Sequence, residues 1–145
     1  MERLIEYVAS HPFLAGGTLA LILATLAYEV SRARSAGEAV GPMDAVRLMN
    51  QGALLVDVRT QAEFDSGHIR DARHLPQEQV GSSAETLKKY KDKVIVACCE
   101  SGMRSGAAAR VLRTQGFTKV VNLRGGLQAW RVENLPLVKG GYKGK

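Results

Sequence analysis

Val94-Ile95-Val96-Ala97 is apolar at every position and leads, through Cys99-Glu100-Ser101-Gly102-Met103-Arg104, into an alanine-rich stretch from Ser105 to Leu112. A strand with one face in water alternates apolar and polar residues. One without alternation is covered on both faces, as in a parallel sheet sandwiched between helices. The neighbouring segments fit that architecture. Leu54 to Val58 reads as a second buried strand, Ile69 to Leu75 as a third and Lys119 to Leu123 as a fourth. Between them, helical spacing covers Met43 to Met49, stopped at Gly52, then Ala84 to Tyr90, Gly106 to Gln115 and Leu127 to Val132. Thr60-x-x-Glu63 is a capping box for a short helix closing at Gly67, and Pro76 to Ser83 reads as loop. Strands alternating with helices give an α/β fold, a parallel sheet flanked by helices. The segment after Ala97 then lies at the carboxyl end of a strand, where open α/β sheets bind ligands.

A thiol at that place, just before a helix, is set up for nucleophilic chemistry. Backbone N–H groups of the loop converge above the helix N-terminus, and the helix dipole adds about half a positive charge. Such surroundings lower a cysteine pKa from about 8.5 into the range of roughly 3.5 to 7.5, so Cys99 is expected to be a thiolate at neutral pH. The N–H groups of Glu100, Ser101, Gly102, Met103, Arg104 and Ser105 form the expected anion cradle. Only four residues separate Cys99 from Arg104. A loop this short suits the single outer sulfur of a persulfide better than the three oxygens of a phosphoryl or arsenate group.

Cys99-x-x-Gly102-x-Arg104-Ser105 resembles the active-site loop of the rhodanese family of sulfurtransferases. Asp57-Val58-Arg59, Glu63-Phe64 and Gly67-His68-Ile69 are similar, in order, to the family's first signature. Gly116-Phe117, Val120 to Leu123, Gly125-Gly126 and Trp130 resemble its closing helix-strand-helix. The likeness runs from about Met43 to Leu135. It departs at Asp71, where the family usually has glycine, and at Glu100, an acid where the loop is often basic or neutral. The resemblance implies sulfur transfer without a cofactor: Cys99 attacks a donor, carries the sulfur as a covalent persulfide, and yields it to an acceptor. It implies that Asp57 lies near the pocket and that Arg59 pairs structurally with an acid such as Glu63. Arg104 is expected to orient an anion or fix the loop, His68 to be structural in its turn, and Cys98 to pack in the core on the face opposite Cys99. Glu100 puts a like charge beside a dianionic donor such as thiosulfate, so weak thiosulfate use is expected, with a protein persulfide as the favoured donor. The histidines and carboxylates have no metal-ligand spacing, and no metal is expected.

The other informative segment is N-terminal. Pro12 to Tyr28 is seventeen residues without a charge, a helix of roughly 26 Å against a hydrocarbon core of roughly 30 Å. A cleaved signal peptide needs a basic start, but Glu2 and Glu6 outweigh Arg3 there, and Ser31-Arg32-Ala33 is a poor cleavage site. A buried helix of a soluble domain needs a polar stripe, which is missing. The expectation is an uncleaved membrane anchor in residues 1–36, its spanning helix at about 12–30. A tether from Ser31 to Pro42 follows, and the domain occupies residues 37–145 with a core at about 43–135. Arg32, Arg34 and Arg47 outweigh Arg3, which places the C-terminal side in the cytoplasm of a bacterial inner membrane. Two adjacent thiols, one of them nucleophilic, fit a reducing compartment.

The first 36 residues balance three acids against three bases, so the net charge of +6 falls on the rest of the chain. A basic domain beside an anionic leaflet is drawn to it, with the tail from Lys139 to Lys145 as a contact or simply a solvated end. This leaves a second function class open, a membrane-tethered interaction module with a membrane-protein partner and incidental sulfur transfer. Nucleic-acid binding is not expected, because the basic residues are not interleaved with aromatics.

Overall fold

The computed structural model describes residues 2–36 and 39–140, and the chain divides into two compact units, Met1–Gly37 and Glu38–Lys145. The first is helical. Helix α1 (Glu2–Ser10), which the sequence reading did not anticipate, meets α2 (Pro12–Ala36) at His11. His11 stacks edge-on against Tyr7 with ring centroids 4.7 Å apart. Within α2, Pro12–Ser31 is 20 residues of apolar helix with no residue buried. At 1.5 Å per residue it rises about 30 Å, enough to cross a bilayer. Its polar side chains turn inward on the backbone: Thr18 donates to the Leu14 carbonyl at 2.8 Å and Thr25 to that of Ile22 at 2.8 Å. Because the helix continues to Ala36, the tether expected from Ser31 is helical over its first half.

The second unit is a five-stranded parallel sheet of order β1-β5-β4-β2-β3. In chain order it comprises β1 (Ala39–Val40), α3 (Pro42–Asn50), β2 (Leu54–Asp57), α4 (Gln61–Ser66), β3 (Arg73–His74), β4 (Ile95–Cys98), α5 (Met103–Thr114), β5 (Val120–Leu123) and α6 (Gly126–Val132). Two 3-10 helices, Gln77–Ser82 and Lys88–Tyr90, lie between β3 and β4. The central register pairs Val56 with Ala97 and Ala97 with Asn122. The unbroken apolar strand β4 occupies the middle, buried at all four positions.

Side-chain alternation splits the core. One face collects Val56, Val58, Ala97, Cys99, Leu112 and Phe117, and the other Leu55, Phe64, Val96, Cys98, Leu123 and Trp130. Cys98 and Cys99 are thus on opposite sides, as the period of two requires. Three local expectations need correction. The strand read at Ile69–Leu75 shrinks to β3, because the chain first turns at Ile69–Ala72, where Asp71 takes φ +62°. That left-handed backbone is the conformation glycine adopts most freely and aspartate tolerates better than most residues. The helix read at Ala84–Tyr90 is a series of turns ending in a 3-10 helix around buried Leu87, and the loop read at Pro76–Ser83 holds the other 3-10 helix around buried Val80. Strand β1 was not read at all; two residues show no periodicity, and its bonds come from β5. Residues 141–145, most of the basic tail, lie outside the described residues.

Candidate active site

Strand β4 ends at Cys98, and the loop from Cys99 to Gly102 carries the chain to α5. Gly102 is the residue before the helix and has φ +96°, the left-handed region in which a side chain is strained. The turn folds the Gly102 N–H back onto Cys99 Sγ at 3.0 Å, and the Ser105 hydroxyl approaches the same sulfur at 3.3 Å. Burial pushes the Cys99 thiol up, but the Ser105 hydroxyl and the backbone N–H groups of Ser105, Gly102 and Ser101 outweigh it and leave the pKa below the ordinary thiol value. The donors around the sulfur are therefore a subset of the Glu100–Ser105 set expected from sequence. Cys99 is wholly buried, while Ser101 and Met103 are exposed on the outer edge of the loop.

The loop is held from behind by α6. Leu127 and Gln128 donate their backbone N–H groups to the carbonyls of Cys99 and Glu100 at 2.9 and 3.1 Å. Gly126 makes that approach possible: a Cβ there would come within 2.6 Å of Glu100 O and closer still to Cys99 O.

Residues 42–133 match the family described as the Rhodanese-like domain. The chain belongs to the rhodanese-like family. It is 34% identical over 142 residues to the uncharacterized protein YibN of Escherichia coli K12, an alignment covering 97% of this chain and 99% of that one. It is also 43% identical over 88 residues to a sulfurtransferase of Allochromatium vinosum, covering 61% of this chain and 80% of the relative. Among solved structures, a rhodanese-related protein of Thermoplasma volcanium superposes with a TM-score of 0.64 at 26% identity, over 71% of this chain and 99% of that one.

In this rhodanese-like domain the arginines pair differently from what the sequence reading expected. Arg59 is 1% exposed and faces Asp57, not Glu63. Its Nε and Nη2 donate to the Asp57 carboxylate at 2.8 to 3.1 Å, and Nη2 also donates to the Gly67 carbonyl at 2.7 Å. Glu63 instead takes Arg104, whose two Nη groups each donate at 2.8 Å. Arg104 is thereby committed to fixing the first helical turn of α5 against α4. Glu100 is compensated too: Arg131 of α6 binds its carboxylate, and Arg59 Nη1 lies 3.5 Å away. His68 is structural as expected, its Nδ1–H donating to Phe64 O at 2.8 Å while its ring stacks on the Phe64 ring. Burial pushes the Cys98 thiol well up, so it stays protonated.

Asn122 and Arg131 were missed by sequence reasoning. A lone amide inside Val120-Val121-Asn122-Leu123 was the available signal for Asn122; nothing local marks Arg131, whose partner is 31 residues away. Among the described residues no group of three or more His, Cys, Asp or Glu side chains could hold a metal ion.

The Glu63–Arg104 pair makes a pH prediction. Arg104 holds the Glu63 carboxyl down to about 2 from 4.5, with help from Thr60 and against burial. A depressed carboxyl stabilises the fold above its unfolded pKa and loses that contribution as pH falls through the folded value. The domain should therefore lose stability between pH 4.5 and 2. Glu63→Gln should lower stability at pH 7 by about 1 kcal/mol, after allowance for solvent screening of a partly exposed pair. It should also flatten the acid limb. Urea unfolding of both proteins at several pH values checks this, and identical acid limbs would exclude Glu63 as the source.

Proposed function

We propose that the chain is a membrane-anchored sulfurtransferase that carries sulfane sulfur on Cys99. The observation that carries the reading is the Cys99 sulfur, bonded by the Gly102 N–H at 3.0 Å at the start of α5 and shifted toward the thiolate. In the first step the thiolate attacks the outer sulfur of a donor. A Cys99 S–S bond forms, the donor's S–S bond breaks, and its electron pair leaves with a thiolate or with sulfite. In the second step an acceptor nucleophile attacks the outer sulfur, and the Cys99 thiolate leaves with the electron pair of the broken bond. The downward shift of the Cys99 thiol favours the thiolate that the first step uses, and neither step is assigned a general base or a cofactor. The N–H groups stabilise negative charge on sulfur in both steps. Incubating the full chain in detergent with thiosulfate or a protein persulfide, then with cyanide, tests this by intact mass. The expected result is gain of one sulfur atom and its loss as thiocyanate. Absence of loading with every donor would overturn transfer and favour a partner-binding role for the tethered domain.

The three guanidinium groups bonded around the loop are already paired with carboxylates, Arg59 with Asp57, Arg104 with Glu63 and Arg131 with Glu100. A dianion such as thiosulfate gains little from paired cations, which supports a protein persulfide as donor. Glu100→Arg removes the acid and releases Arg131, and should raise thiosulfate turnover roughly tenfold, the effect of one favourable charge contact at moderate dielectric. Steady-state assays at low salt check this; unchanged or lower turnover would remove charge as the cause of donor choice. The 20-residue apolar helix within α2 supports anchoring in a membrane. The proposed location is a bacterial inner membrane with the domain in the cytoplasm, the side on which Arg32, Arg34 and Arg47 outnumber Arg3. Carbonate extraction and protease protection of the domain in sealed vesicles test that location.

A further inference from the structure

Asn122 is a polar residue in the otherwise apolar strand β5, which pairs with β1 on one side and β4 on the other, and its amide is used at both ends. Nδ2 donates to the Gly102 carbonyl at 2.9 Å, and Oδ1 lies 2.6 Å from the Ser105 hydroxyl. The amide's orientation is settled by chemistry, since a backbone carbonyl only accepts and so faces Nδ2. Oδ1 is then the acceptor presented to Ser105. Room for this comes from Gly106, where a Cβ would sit 3.3 Å from Nδ2. Ser105 is fully buried, and its hydroxyl has one proton for two acceptors, Asn122 Oδ1 at 2.6 Å and Cys99 Sγ at 3.3 Å. The shorter contact is within the strong range for O–H···O, and the longer is an ordinary contact to sulfur.

We propose that Asn122 is a positioning residue that holds the Ser105 proton away from Cys99 while the sulfur is a thiol or a loaded persulfide, and releases it when Cys99 becomes the free thiolate. With the hydroxyl turned to Asn122, the Ser105 oxygen shows a lone pair to sulfur. It accepts from a Cys99 S–H and asks nothing of an uncharged Sγ inside a persulfide. A thiolate needs the proton itself, so the hydroxyl rotates and the Asn122 bond is given up. The free thiolate thus gains the Ser105 proton at the cost of the Asn122 bond, a cost the persulfide state does not carry, which favours uptake of sulfur. The role in uptake rests on the persulfide chemistry proposed above; the control of the Ser105 proton does not.

The test is the pH dependence of iodoacetamide alkylation at Cys99, followed by intact mass on the full chain in detergent for the parent, Asn122→Leu, Ser105→Ala and the double variant. The titratable groups coupled to Cys99 are Cys98 on β4 and Arg104 on α5, with Glu63 behind Arg104, and all are present in the four proteins. Freed from Asn122, Ser105 donates to sulfur without competition, so Asn122→Leu should move the midpoint down by about 0.5 to 1 pH unit, the worth of one hydrogen bond. Ser105→Ala should move it up, and adding Asn122→Leu to Ser105→Ala should change nothing further. A midpoint that rises in Asn122→Leu, or that shifts equally in the Ser105→Ala background, would overturn the proposal, because Asn122 would then act through the Gly102 carbonyl. If Asn122→Leu fails to fold, Asn122→Ala is read the same way. Alkylation needs no sulfur donor, so failure of sulfur loading with the expected midpoints intact would refute transfer alone, and the reverse would refute the Asn122 role alone.

Discussion

The Cys99→Ser variant is expected to gain no sulfur from any donor that loads the parent chain, a loss of about 10⁴-fold or more in transfer rate. A serine hydroxyl keeps the hydrogen-bonding position beside the Gly102 N–H and Ser105, so the loop should retain its shape while losing the sulfur proposed to carry the persulfide. Circular dichroism should therefore match the parent when mass spectrometry shows no added sulfur. Cys98 is the internal control. It lies on the other face of the sheet, and burial holds its thiol in the protonated form. Sulfur found on Cys98 in the Cys99→Ser protein would overturn the assignment of the nucleophile.

Replacing Arg59 by leucine is expected to destabilise the domain by about 3–5 kcal/mol, the cost of leaving a buried charge without its partner. Asp57 has no solvent exposure, and Arg59 supplies its guanidinium contacts. The same change leaves the Gly67 carbonyl without Arg59 Nη2 and takes a cation from beside Glu100. For a domain of this size such a loss lowers the melting temperature by well over 10 °C. A double change to Asp57→Leu and Arg59→Leu should recover part of it, since apolar pairs often replace buried ion pairs at little net cost. Thermal unfolding of the three proteins decides the matter. A single variant that melts within a few degrees of the parent would mean that water reaches Asp57 and screens it.

Much of the site was legible in the chain because it is built locally. Cys99, Gly102 and Ser105 fall within seven residues, and the helix that follows organises them by backbone geometry alone. The Thr60–Glu63 box formed as read, with Thr60 N–H donating to Glu63 at 2.9 Å, since a capping box needs only a spacing of three. Where the reading erred, the deciding partner was remote or the segment too short to show a period. Arg59 lies two residues from Asp57 and four from Glu63, and the resemblance pointed to Glu63 as its partner. The choice was made by burial: Asp57 points into the core with Arg59, whereas Glu63 sits at the start of an exposed helix where Arg104, 41 residues on, can reach it. The 3-10 segments around Val80 and Leu87 follow from one apolar anchor each, too few to sustain a helix of ordinary length.

The sequence by itself determined the kind of sheet, the strand that leads into the Cys99 loop, and the presence of an apolar helix long enough to cross a bilayer. These depend on side-chain period, backbone turns and length, which are properties of neighbouring residues. The tertiary structure alone decided which acid each arginine neutralises, that α6 props the loop through Leu127 and Gln128, and that Asn122 competes with Cys99 for the Ser105 proton. Those relations join residues 17 to 41 positions apart or depend on which side chains share a buried face. Electrostatic and hydrogen-bond partners are chosen by distance and desolvation in the folded molecule, and no local pattern encodes either.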